Sequence, residues 1–427
     1  MTDRSAIPAA SRPPLARRLA IVAIVLLVLI LCQFLRSSLA VVVPALVREV
    51  PLSARELGFI TSTFFVFMAA MQIPAGMMFD RFGVRRIACA AMALAVIGGI
   101  VFARGEGFWD FLIGQLLFGV GMAPLFIGSI MVVGRWWGGE RLASLAAIVM
   151  SLSYIGTLSA TAPLAHAIEW VGWRWSLLAP TLVLGVATAL FFFVVRDAPP
   201  GHAWWGQRRQ ETLPEILAGV AEVLRHPAIP GLFAASFIGY SCGYALRGLW
   251  MGPYLLDVQR LDAIARGDIL FLATAMGTLG LFVSGQLTTR IGSPRPVILG
   301  FAGLTALGLA AMAAIAQPGM TLLLAAFLAV SLLSAFFPAV MGQAQSSFPE
   351  RLRGRSLTMI NFAVFAGVGL NQLITGFLID FFPTDAAGGH SEEAYRAMFA
   401  YLAAFVAAGT VVYALFGKMA RKDEDVG

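Results

Sequence analysis

The sequence predicts an all-α membrane protein with twelve transmembrane helices in two pseudo-symmetric six-helix bundles. Of its 427 residues, 59% are hydrophobic and only 12% are charged, whereas a soluble domain carries about 25% charged residues. Apolar stretches of about twenty residues recur between short polar segments, as bilayer-spanning helices require. The two halves of the chain also match each other at a constant spacing. These three observations together predict the fold class.

The apolar stretches define the predicted helices in chain order. The first, 19–45, exceeds the apolar core of a signal peptide and lacks an A-x-A-like cleavage site, so we expect it to remain as the first helix. The later stretches have the same composition. Their predicted spans are 56–79, 87–104, 108–135, 142–168, 176–195, 228–256, 267–290, 294–315, 320–346, 355–382 and 394–418.

The distribution of Lys and Arg predicts the orientation in the membrane. If the N-terminus is cytoplasmic, the cytoplasmic segments carry 21 of the 30 Lys and Arg, and the opposite loops carry seven. Cytoplasmic loops of inner-membrane proteins are enriched in these residues. We therefore expect a multi-pass inner-membrane protein with both termini in the cytoplasm. The same loop residues account for the net charge of +7, so no nucleic acid partner is expected.

The longest polar segment between predicted helices separates the chain into two halves. It contains Pro, Gly and charges of both signs, as loops and linkers commonly do. The predicted domains are an N-terminal six-helix bundle at 1–195, a cytoplasmic linker at 196–227 and a C-terminal six-helix bundle at 228–427. Within the linker, LPEILAGVAEVL (213–224) has the pattern of a short amphipathic helix at the membrane surface.

The two halves match at an offset of 209 positions. Seven identities occur without a gap over 40 positions, and several are Gly or Pro. Parallel six-helix repeats place a substrate site between the halves near the bilayer midplane, where rocking exposes it alternately to each side. The repeat therefore predicts a transporter. The identical pairs are Pro44 and Pro253, Leu46 and Leu255, Leu52 and Leu261, Gly58 and Gly267, Gly76 and Gly285, Arg81 and Arg290, and Gly83 and Gly292.

A charged, glycine-containing loop follows the second predicted helix. It reads GMMFDRFGVRR from Gly76 to Arg86 and resembles the G-x-x-x-D-R-x-G-R-R signature of the major facilitator superfamily, with Val84 as one additional residue. The second half has a shorter copy, GQLTTRIG, in which Thr289 replaces the acidic residue. GRWWGGERLAS, VGWRWS and FPERLRGRSL extend the resemblance over nearly the whole chain. The resemblance implies a secondary transporter without a cofactor.

The same resemblance implies how the two halves are held together. In the family, acidic and basic residues of this signature join the halves at the cytoplasmic face while the site opens outward. We carry this latch role to Asp80, Arg81 and Arg85. Gly76 is expected to let helices approach closely, and Gly83 to permit a tight turn. The alternative is that the loop only sets topology through its positive charges.

Two arginines lie inside predicted helices, Arg36 in the first and Arg247 in the seventh. An Arg at the centre of such a helix costs roughly 2.5–3.5 kcal/mol on insertion scales and usually faces a cavity. All 23 Asp and Glu fall in loops or near helix ends. A substrate anion is therefore the expected counter-ion, because guanidinium suits carboxylate or phosphate. The alternative is that backbone carbonyls, Gln or Tyr hold each arginine.

The first and seventh helices also resemble one branch of the family. LRSSLAVVVPAL (35–46) is similar to helix 1 of the organophosphate:phosphate antiporters, and ALRGLWMGPYL (245–255) is similar to their helix 7. In that branch, arginines of both helices bind phosphate, which implies that Arg36 and Arg247 bind the substrate. Gln72 stands where those antiporters have a Lys, which favours a carboxylate over phosphate.

Further polar side chains within the spans are candidate substrate contacts, with helix-to-helix packing as the alternative. Tyr240, Tyr244 and Arg247 are spaced to share one helix face. The three cysteines and four histidines show no metal-ligand spacing, so no metal site is predicted. The candidate substrate-binding residues are Arg36, Arg247, Gln72, Gln115, Tyr154, Tyr240, Tyr244, Trp250, Asn361 and Gln372.

The leading hypothesis is a secondary active transporter that moves a small organic anion, either a carboxylate or a phosphorylated metabolite, across the inner membrane by alternating access. Alternatives are a transporter of zwitterions such as short peptides and a drug or metabolite exporter. An enzyme is not expected, because the spans contain no convergent catalytic cluster. The expected partners are the anionic substrate, the lipid bilayer, and protons or a counter-transported anion. Anion exchange is favoured because no acidic side chain lies deep in a span, and we expect a monomer.

Overall fold

The computed structural model describes residues 13–200, 213–384 and 389–417, except for the side chains at 80, 139–143, 213 and 216–217. The described part of the chain is helical nearly throughout, with one isolated antiparallel bridge between Thr384 and His390. The predicted all-α fold is confirmed.

Six transmembrane helices precede the linker, and four of them are broken into two segments. The stretch Ala162–Val194 turns at Gly172, whose φ is 76°, and so contains the end of one helix and the whole of the next. The six helices are α1 (Leu15–Ser37 and Leu39–Glu49), α2 (Ala54–Ala70 and Gln72–Phe82), α3 (Val84–Arg104), α4 (Phe108–Met122 and Leu125–Trp137), α5 (Gly139–Ser159 and 162–171) and α6 (173–194).

The linker helix, Leu213–Leu224, has the bounds that the amphipathic pattern predicts. Six further transmembrane helices follow it, and the first of them contains one π-helical turn. They are α7 (Ile229–Ala245, Leu246–Trp250 and Met251–Asp257), α8 (Ala263–Ile291), α9 (Pro294–Ala314), α10 (Met320–Leu333 and Phe337–Ser347), α11 (Glu350–Asp380) and α12 (Glu392–Phe416).

The number of spans agrees with the sequence. Within the described ranges, ten helical stretches are long and apolar enough to cross a membrane. An eleventh span is α2, whose two segments are bent by 43°. The shorter apolar helix Ser144–Ser159 lies in α5 and supplies the twelfth. The predicted order of twelve transmembrane helices is confirmed.

Prolines explain two of the irregular helices. A proline lacks the backbone N–H, and its ring clashes with the carbonyl four residues earlier. Pro74 follows the break of α2 at Met71, and Pro253 follows the π-helical turn of α7. In α1 the break comes at Ser38, whose hydroxyl donates to the carbonyl of Leu35 (2.9 Å). Such a bond back to the helix favours a bend.

The internal repeat is visible in the helix boundaries. α2 begins at Ala54 and α8 at Ala263, and they end at Phe82 and Ile291, so both ends lie 209 positions apart. α3 and α9 lie 210 positions apart at both ends. The sequence repeat therefore corresponds to a repeat of structure.

Packing divides the described residues into two units. Unit 1 contains those of Met1–Val42 and Ala70–Glu211, and unit 2 contains those of Val43–Ala69 and Thr212–Gly427. Unit 2 thus includes a segment of α1 and α2 that lies in the predicted N-terminal bundle at 1–195. The division of the chain into the domains 1–195, 196–227 and 228–427 stays a prediction.

Glycines join the first segment of α2 to α11 within unit 2. A Cβ atom at Gly58 would lie 2.8 Å from the carbonyl oxygen of Gln372 and 3.0 Å from the Cα of Gly376. Beside them, the rings of Phe59 and Phe377 meet edge to face at 5.4 Å. Small residues let two helix backbones approach this closely. This contact places the first segment of α2 among the helices of unit 2.

In each unit, an arginine of the last helix caps the C-terminal end of the third. Arg174 of α6 donates from Nη1 to the carbonyls of Ala103 (3.0 Å) and Gly105 (2.9 Å). Arg396 of α12 donates from Nε to the carbonyl of Ala313 (2.7 Å), at the end of α9. The last carbonyls of a helix have no partner within it, and a cation there also interacts favourably with the helix dipole.

A second pair of arginines makes the reverse connection at the other end of the same helices. Arg85 of α3 donates from Nε to the carbonyl of Phe192 in α6 (2.7 Å). Arg295 of α9 donates from Nη2 to the carbonyl of Ala414 in α12 (2.8 Å). The third and sixth helices of each unit are therefore joined at both ends by repeat-related arginines.

Candidate functional site

Arg247 occupies the irregular part of α7, in the π-helical turn Leu246–Trp250. Its Nε donates to the carbonyl of Gly243 (3.1 Å). The guanidinium lies against Gly277 of α8, because any Cβ atom there would overlap Nη1. The side chain is half-buried. Because Gly277 has no side chain, the guanidinium of Arg247 can pack directly against the backbone of α8.

The two tyrosines predicted to share a face with Arg247 are adjacent in the structure. The rings of Tyr240 and Tyr244 stack at 5.5 Å with an interplanar angle of 26°. Tyr244 also packs edge to face on Phe65 of α2, at 5.1 Å, within unit 2. Tyr240 is half-buried, whereas Tyr244 is buried. α7 therefore presents an aromatic pair one and two turns before the arginine.

The candidate Trp250 bonds to Thr375 of α11, and the hydroxyl of Thr375 also donates to the backbone carbonyl of the candidate Gln372 (3.2 Å). Trp250 is 1% exposed and donates from Nε1 to the hydroxyl oxygen of Thr375 (2.7 Å). That hydroxyl donates to the carbonyl of Asn371 (2.6 Å). Gln372 is also 1% exposed, and its Oε1 accepts no hydrogen bond within the described part of the chain. A buried acceptor without a donor costs about 1–3 kcal/mol, which makes this oxygen a candidate for a ligand hydroxyl.

The other candidate of unit 2, Asn361, is half-buried in α11. The candidates of unit 1 lie on four of its helices. Arg36 is half-buried in the last turn of the first segment of α1, directly before its break. Gln72 begins the second segment of α2 and is 3% exposed, and Gln115 of α4 is 4% exposed. Tyr154 is half-buried in α5. Their role as substrate contacts stays a prediction.

The loop predicted to act as a latch is built around a carboxylate. Gly83 has φ 84°, which confirms the predicted tight turn, and a Cβ atom there would lie 2.6 Å from Oδ2 of Asp197. The other oxygen of Asp197 accepts from the backbone N–H of Arg85 (2.7 Å), in the first turn of α3. The guanidinium of Arg85 lies 4.3 Å above the ring of Phe192. This carboxylate caps an N-terminus that has no side-chain cap of its own.

The remaining latch residues are less constrained. Arg81 is exposed, and its guanidinium lies 5.3 Å from the ring of Phe82. A Cβ atom at Gly76 would meet nothing within 4 Å, so the close approach expected there is not made by the described residues. Asp80 lies in the second segment of α2, but its side chain is outside the described atoms. The latch itself stays a prediction.

The family of the chain follows from comparison with known proteins. Residues 25–371 and 267–426 match the model of the Major Facilitator Superfamily. The chain belongs to the Major Facilitator Superfamily. It is therefore a multi-pass membrane transporter, and the prediction that it is not an enzyme is confirmed.

Individual relatives of this transporter agree with that assignment. The hexuronate transporter of Bacillus subtilis (strain 168) is 24% identical over 81% of this chain and 84% of the relative. The D-galactonate transporter of Escherichia coli O6:H1 is 23% identical over 87% of this chain and 91% of the relative. Among solved structures, a bacterial homolog of the human lysosomal transporter Spinster, inward-facing and occupied, aligns with a TM-score of 0.79 and 16% identity, over 96% of this chain and 98% of that chain. This likeness shows the fold.

Sequence reasoning missed the role of Asp197. It placed this residue in the linker, without a partner, because the carboxylate and the first turn of α3 are more than 100 positions apart along the chain. The available signal was an acidic residue directly after the predicted end of α6. Only the packing of α3 on α6 gives that residue a function in the transporter.

A polar network around Asn371 was also only partly anticipated. Its Nδ2 donates to the hydroxyl oxygen of Ser241 (3.3 Å) and to the carbonyl of Gly367 (2.9 Å), and its Oδ1 accepts from Tyr401 (3.0 Å). The amide therefore connects α11 to α7 and α12. Asn371 is recognisable in the sequence as a polar residue inside a predicted span, but its partners are not.

An unpredicted polar cavity of about 500 Å³ lies where α7 and α9 end and α12 begins. Asp257 accepts there from the hydroxyl of Tyr395 (2.7 Å) and from the backbone N–H of His390 (3.1 Å). Two residues of its rim, Arg260 and Gln317, have left-handed φ values of 54° and 47°. Among the described residues, no three His, Cys, Asp or Glu side chains are grouped to hold a metal ion.

Proposed function

We propose that this transporter moves small hydroxylated carboxylates of the sugar-acid type across the inner membrane by alternating access. The transporters of hexuronates and D-galactonate described above each align with more than four fifths of the chain. Hexuronates and galactonate are sugar acids, with one carboxylate and several hydroxyls. The observation that carries the proposal is the half-buried guanidinium of Arg247, seated on Gly277 in the middle of the membrane-spanning α7 and α8.

The residues of unit 2 suit both parts of such a molecule. The planar guanidinium of Arg247 can donate two parallel hydrogen bonds to a carboxylate. Two uncharged groups suit substrate hydroxyls: the Oε1 of Gln372, which accepts no hydrogen bond from the described residues, and the hydroxyl of the half-buried Tyr240. Sites built to hydrogen-bond a substrate hydroxyl reject analogues that lack it. We therefore assign the carboxylate to the arginine and the polyol to the uncharged side chains.

The distribution of carboxylates supports an anionic substrate. Each Asp and Glu within the described transmembrane helices lies within two turns of a helix end or of the turn at Gly172. Arg36 and Arg247 lie farther from the ends of α1 and α7. A cation at membrane depth is usually paired with an anion or lines a polar cavity. In this proposal, Arg36 and Arg247 each contact the anionic substrate in the course of the transport cycle.

Uptake by proteoliposomes tests the proposal. Labelled hexuronate and galactonate should be taken up and should compete with each other, whereas a sugar phosphate and a dipeptide should compete at least tenfold less well. Arg36→Gln and Arg247→Gln should each abolish uptake, and Arg36→Lys should restore little because an ammonium lacks the guanidinium fork. Arg104→Gln, an exposed site at the end of α3, is the matched control. Normal uptake by Arg36→Gln would refute the anion site.

A second variant, which removes no charge, tests the position of the Arg247 guanidinium against α8. Gly277→Ala keeps every charge but places a methyl group where the guanidinium of Arg247 lies. It should raise the apparent KM about tenfold or more, because a displaced binding group weakens substrate contact. Gly300→Ala of α9, where a Cβ atom meets nothing within 4 Å, should leave the KM unchanged. Equal effects of the two substitutions would contradict the proposal that the packing of Arg247 on Gly277 positions the guanidinium for substrate binding.

We further propose that transport occurs by exchange of anions. Without a deep Asp or Glu to carry a proton, an empty carrier with two arginines at membrane depth is reluctant to reorient. Preloading proteoliposomes with unlabelled substrate should then accelerate uptake of labelled substrate several-fold without a pH gradient. Accumulation driven by a proton gradient alone, with no effect of preloading, would instead establish proton symport.

The latch is the remaining part of the proposed mechanism. Asp80→Asn should slow the transport cycle more than it weakens substrate binding, because the residue lies near the end of α2 and not at membrane depth. A changed binding constant with an unchanged cycling rate would contradict the latch.

The proposal also includes a monomer with both termini in the cytoplasm. Reporter fusions at each terminus would check the orientation, and the mass of the purified protein would check the monomer.

A further inference from the structure

Two hydrogen bonds join α7 to α11 on either side of Arg247. Before it in the chain, the hydroxyl oxygen of Ser241 accepts from Nδ2 of Asn371 (3.3 Å). After it, Nε1 of Trp250 donates to the hydroxyl oxygen of Thr375 (2.7 Å). Asn371 and Thr375 are one turn apart on α11, so one face of that helix holds α7 at two points.

The four side chains that make these bonds are buried inside the protein. Asn371, Thr375 and Ser241 are 0% exposed, and Trp250 is 1% exposed. A buried donor or acceptor that loses its partner cannot bond to water instead. Each bond therefore resists rotation or sliding of α7 against α11.

Both side chains of α11 are held in the orientation that these bonds need. Oδ1 of Asn371 accepts from the hydroxyl of Tyr401 in α12 (3.0 Å), which directs Nδ2 toward α7. The hydroxyl of Thr375 donates to the carbonyl of Asn371 (2.6 Å), so its oxygen accepts from the indole of Trp250. The donor and the acceptor that α11 offers to α7 are therefore oriented by residues outside α7.

The π-helical turn Leu246–Trp250 brings both bonds to the same side of α7. Ser241 and Trp250 are nine positions apart, and in a regular α-helix such residues lie about 180° apart around the axis. A single π-helical turn takes up roughly one extra residue, which reduces this angle to about 80°. The bond that defines the turn runs from the N–H of Met251 to the carbonyl of Leu246. The two bonds to α11 and the π-helical turn therefore stabilise each other.

Arg247 lies within this turn, between the two bonds to α11. Its Nε donates to the carbonyl of Gly243 (3.1 Å), and its guanidinium packs on Gly277 of α8. Relaxation of the turn to regular α-helix would rotate the two parts of α7 relative to each other by about 100°. The direction of the arginine side chain would then change. The bonds that hold the turn therefore also hold the arginine.

We propose that Asn371 and Thr375 are positioning residues for substrate binding, because they hold the π-helical turn of α7 and so fix the direction of the Arg247 guanidinium. Trp250 contributes in the same way, since the polar atom of its side chain already donates to Thr375. This inference rests on the proposed function, in which Arg247 binds the carboxylate of the substrate. None of the three positioning side chains needs to touch the substrate.

The substrate dependence of uptake tests the role of Thr375. Thr375→Val removes the acceptor but keeps the shape of the side chain. It should raise the KM for galactonate about tenfold and change the maximal rate less than about twofold, because a displaced binding group weakens substrate contact. Thr375→Ser keeps the hydroxyl and should have a KM near that of the wild-type protein. Thr305→Val of α9 is the matched control, because Thr305 is equally buried and bonds to the carbonyl of Phe301 in its own helix.

A double variant shows whether Trp250 and Thr375 act together. Trp250→Phe removes the indole N–H, so Trp250→Phe/Thr375→Val should have the KM of the worse single variant, because both changes remove the same bond. Ser241→Ala, at the other and longer bond, should raise the KM about threefold. If the KM effects of Trp250→Phe and Thr375→Val multiply, Trp250 acts on the substrate independently and the proposal is overturned.

Hydrogen exchange tests the hold on α7 without transport. In Thr375→Val the amides at 246–251 should exchange about tenfold faster than in the wild-type protein and in Thr305→Val, because local opening of the turn costs less free energy. If the wild-type protein takes up no sugar acid, this faster exchange still supports the hold on α7, and the proposed function alone fails.

Two further results would overturn the positioning role. In the first, Thr375→Val changes neither the exchange at 246–251 nor the KM. In the second, Thr375→Val lowers the Tm but leaves the KM unchanged, which would make the bond to Trp250 merely structural. If Thr375→Val does not fold, Trp250→Phe decides, because it loses the same bond and leaves no buried N–H without an acceptor.

Discussion

The loop between α2 and α3 in unit 1 and the loop between α8 and α9 in unit 2 are repeat-related but differ in what their glycine does. Gly83 has φ 84° and ψ 158°, whereas Gly292 has φ 72° and ψ 7°. A Cβ atom at Gly83 would lie 2.6 Å from the carboxylate of Asp197, but at Gly292 it would meet nothing within 4 Å. The second glycine only turns the chain, and the first also makes room for a buried carboxylate.

The two units therefore share the connections between their third and sixth helices but differ in the residues that support the loop before the third helix. Both units retain the two arginine connections between their third and sixth helices, with bond lengths of 2.7–3.2 Å. Among the described residues, a carboxylate packs against the glycine of this loop in unit 1, where it is Asp197, and not in unit 2. The loop with the full signature therefore rests on an electrostatic support that a tight turn alone does not need.

The largest expected effect separates the two glycines. Gly83→Ala should lower the free energy of unfolding by about 2–3 kcal/mol, because an L-residue is strained there and its Cβ displaces Asp197. Gly292→Ala should cost about 1 kcal/mol, since it meets only the backbone strain of a left-handed turn. Thermal unfolding in detergent measures both. Equal losses at the two positions would remove the distinction between the loops.

The next effect should be the same in both units. Arg174→Ala and Arg396→Ala each remove hydrogen bonds from a cation to the last carbonyls of a helix, and each should cost about 1–2 kcal/mol. Arg174 also stacks on Trp173 at 4.4 Å, so its loss should be slightly the larger. Unfolding of the two variants side by side checks this. A loss in one unit only would mean that the arginine connections are not equivalent.

A smaller effect is expected at the carboxylate itself. Asp197→Ala should cost about 1 kcal/mol, the usual value for a lost N-cap, and Asp197→Asn only a few tenths because an amide oxygen still accepts from the backbone. Asp262→Ala is the matched control in unit 2, where this side chain accepts from the N–H of Ala265 (2.8 Å) and caps α8. If Asp197→Asn were as damaging as Asp197→Ala, the charge would matter more than the cap.

The smallest effect concerns an exposed ion pair in unit 2. Glu222 of the linker helix accepts from both terminal nitrogens of Arg351 in α11, at 2.9 Å for Nη1. These hydrogen bonds lower the pKa of the Glu222 carboxyl below its ordinary value. The contact therefore stabilises the folded unit above the carboxyl's ordinary pKa, near 4.3, and is lost as the pH falls through the lower folded value.

A fluorescent probe at the exposed Ala218 measures this contact. Its anisotropy should stay constant from pH 7 to about pH 5. At pH values below the ordinary pKa of Glu, near 4.3, the anisotropy should decrease as the linker helix loosens. Glu222→Gln should show the low anisotropy already at pH 7. A loss that begins at neutral pH in the wild-type protein would indicate a different titrating group.

The sequence predicts the helices well because hydropathy depends on local composition. The predicted span 56–79 lies inside the observed α2, which runs from Ala54 to Phe82. The glycine of the signature loop was expected at a tight turn and has a positive φ. The π-helical turn around Arg247 was not anticipated, because it depends on how α7 accommodates Pro253 and on the space at Gly277.

The candidate site is harder to predict than the fold. Arg247 stands out because a charge in an apolar helix is costly wherever it points. Trp250 gives no such signal, and its bond to Thr375 spans 125 positions of the chain. Whether the side-chain oxygen of Gln372 accepts a hydrogen bond likewise depends on which neighbours pack against it, and among the described residues none donates to it. Sequence periodicity gives the face of a helix, but only packing decides which polar atoms are already satisfied.

The glycine contact between α2 and α11 has a consequence for the biosynthesis of this protein. Gly58 and Gly376 pack together in unit 2, although more than 300 positions separate them. At a translation rate of about 5–20 residues per second, α11 leaves the ribosome roughly 15–60 s after the first segment of α2. During this interval the small-residue face of α2 lacks the surface that it finally covers. The insertion machinery, lipid or a chaperone must shield that face until the last third of the chain has been made.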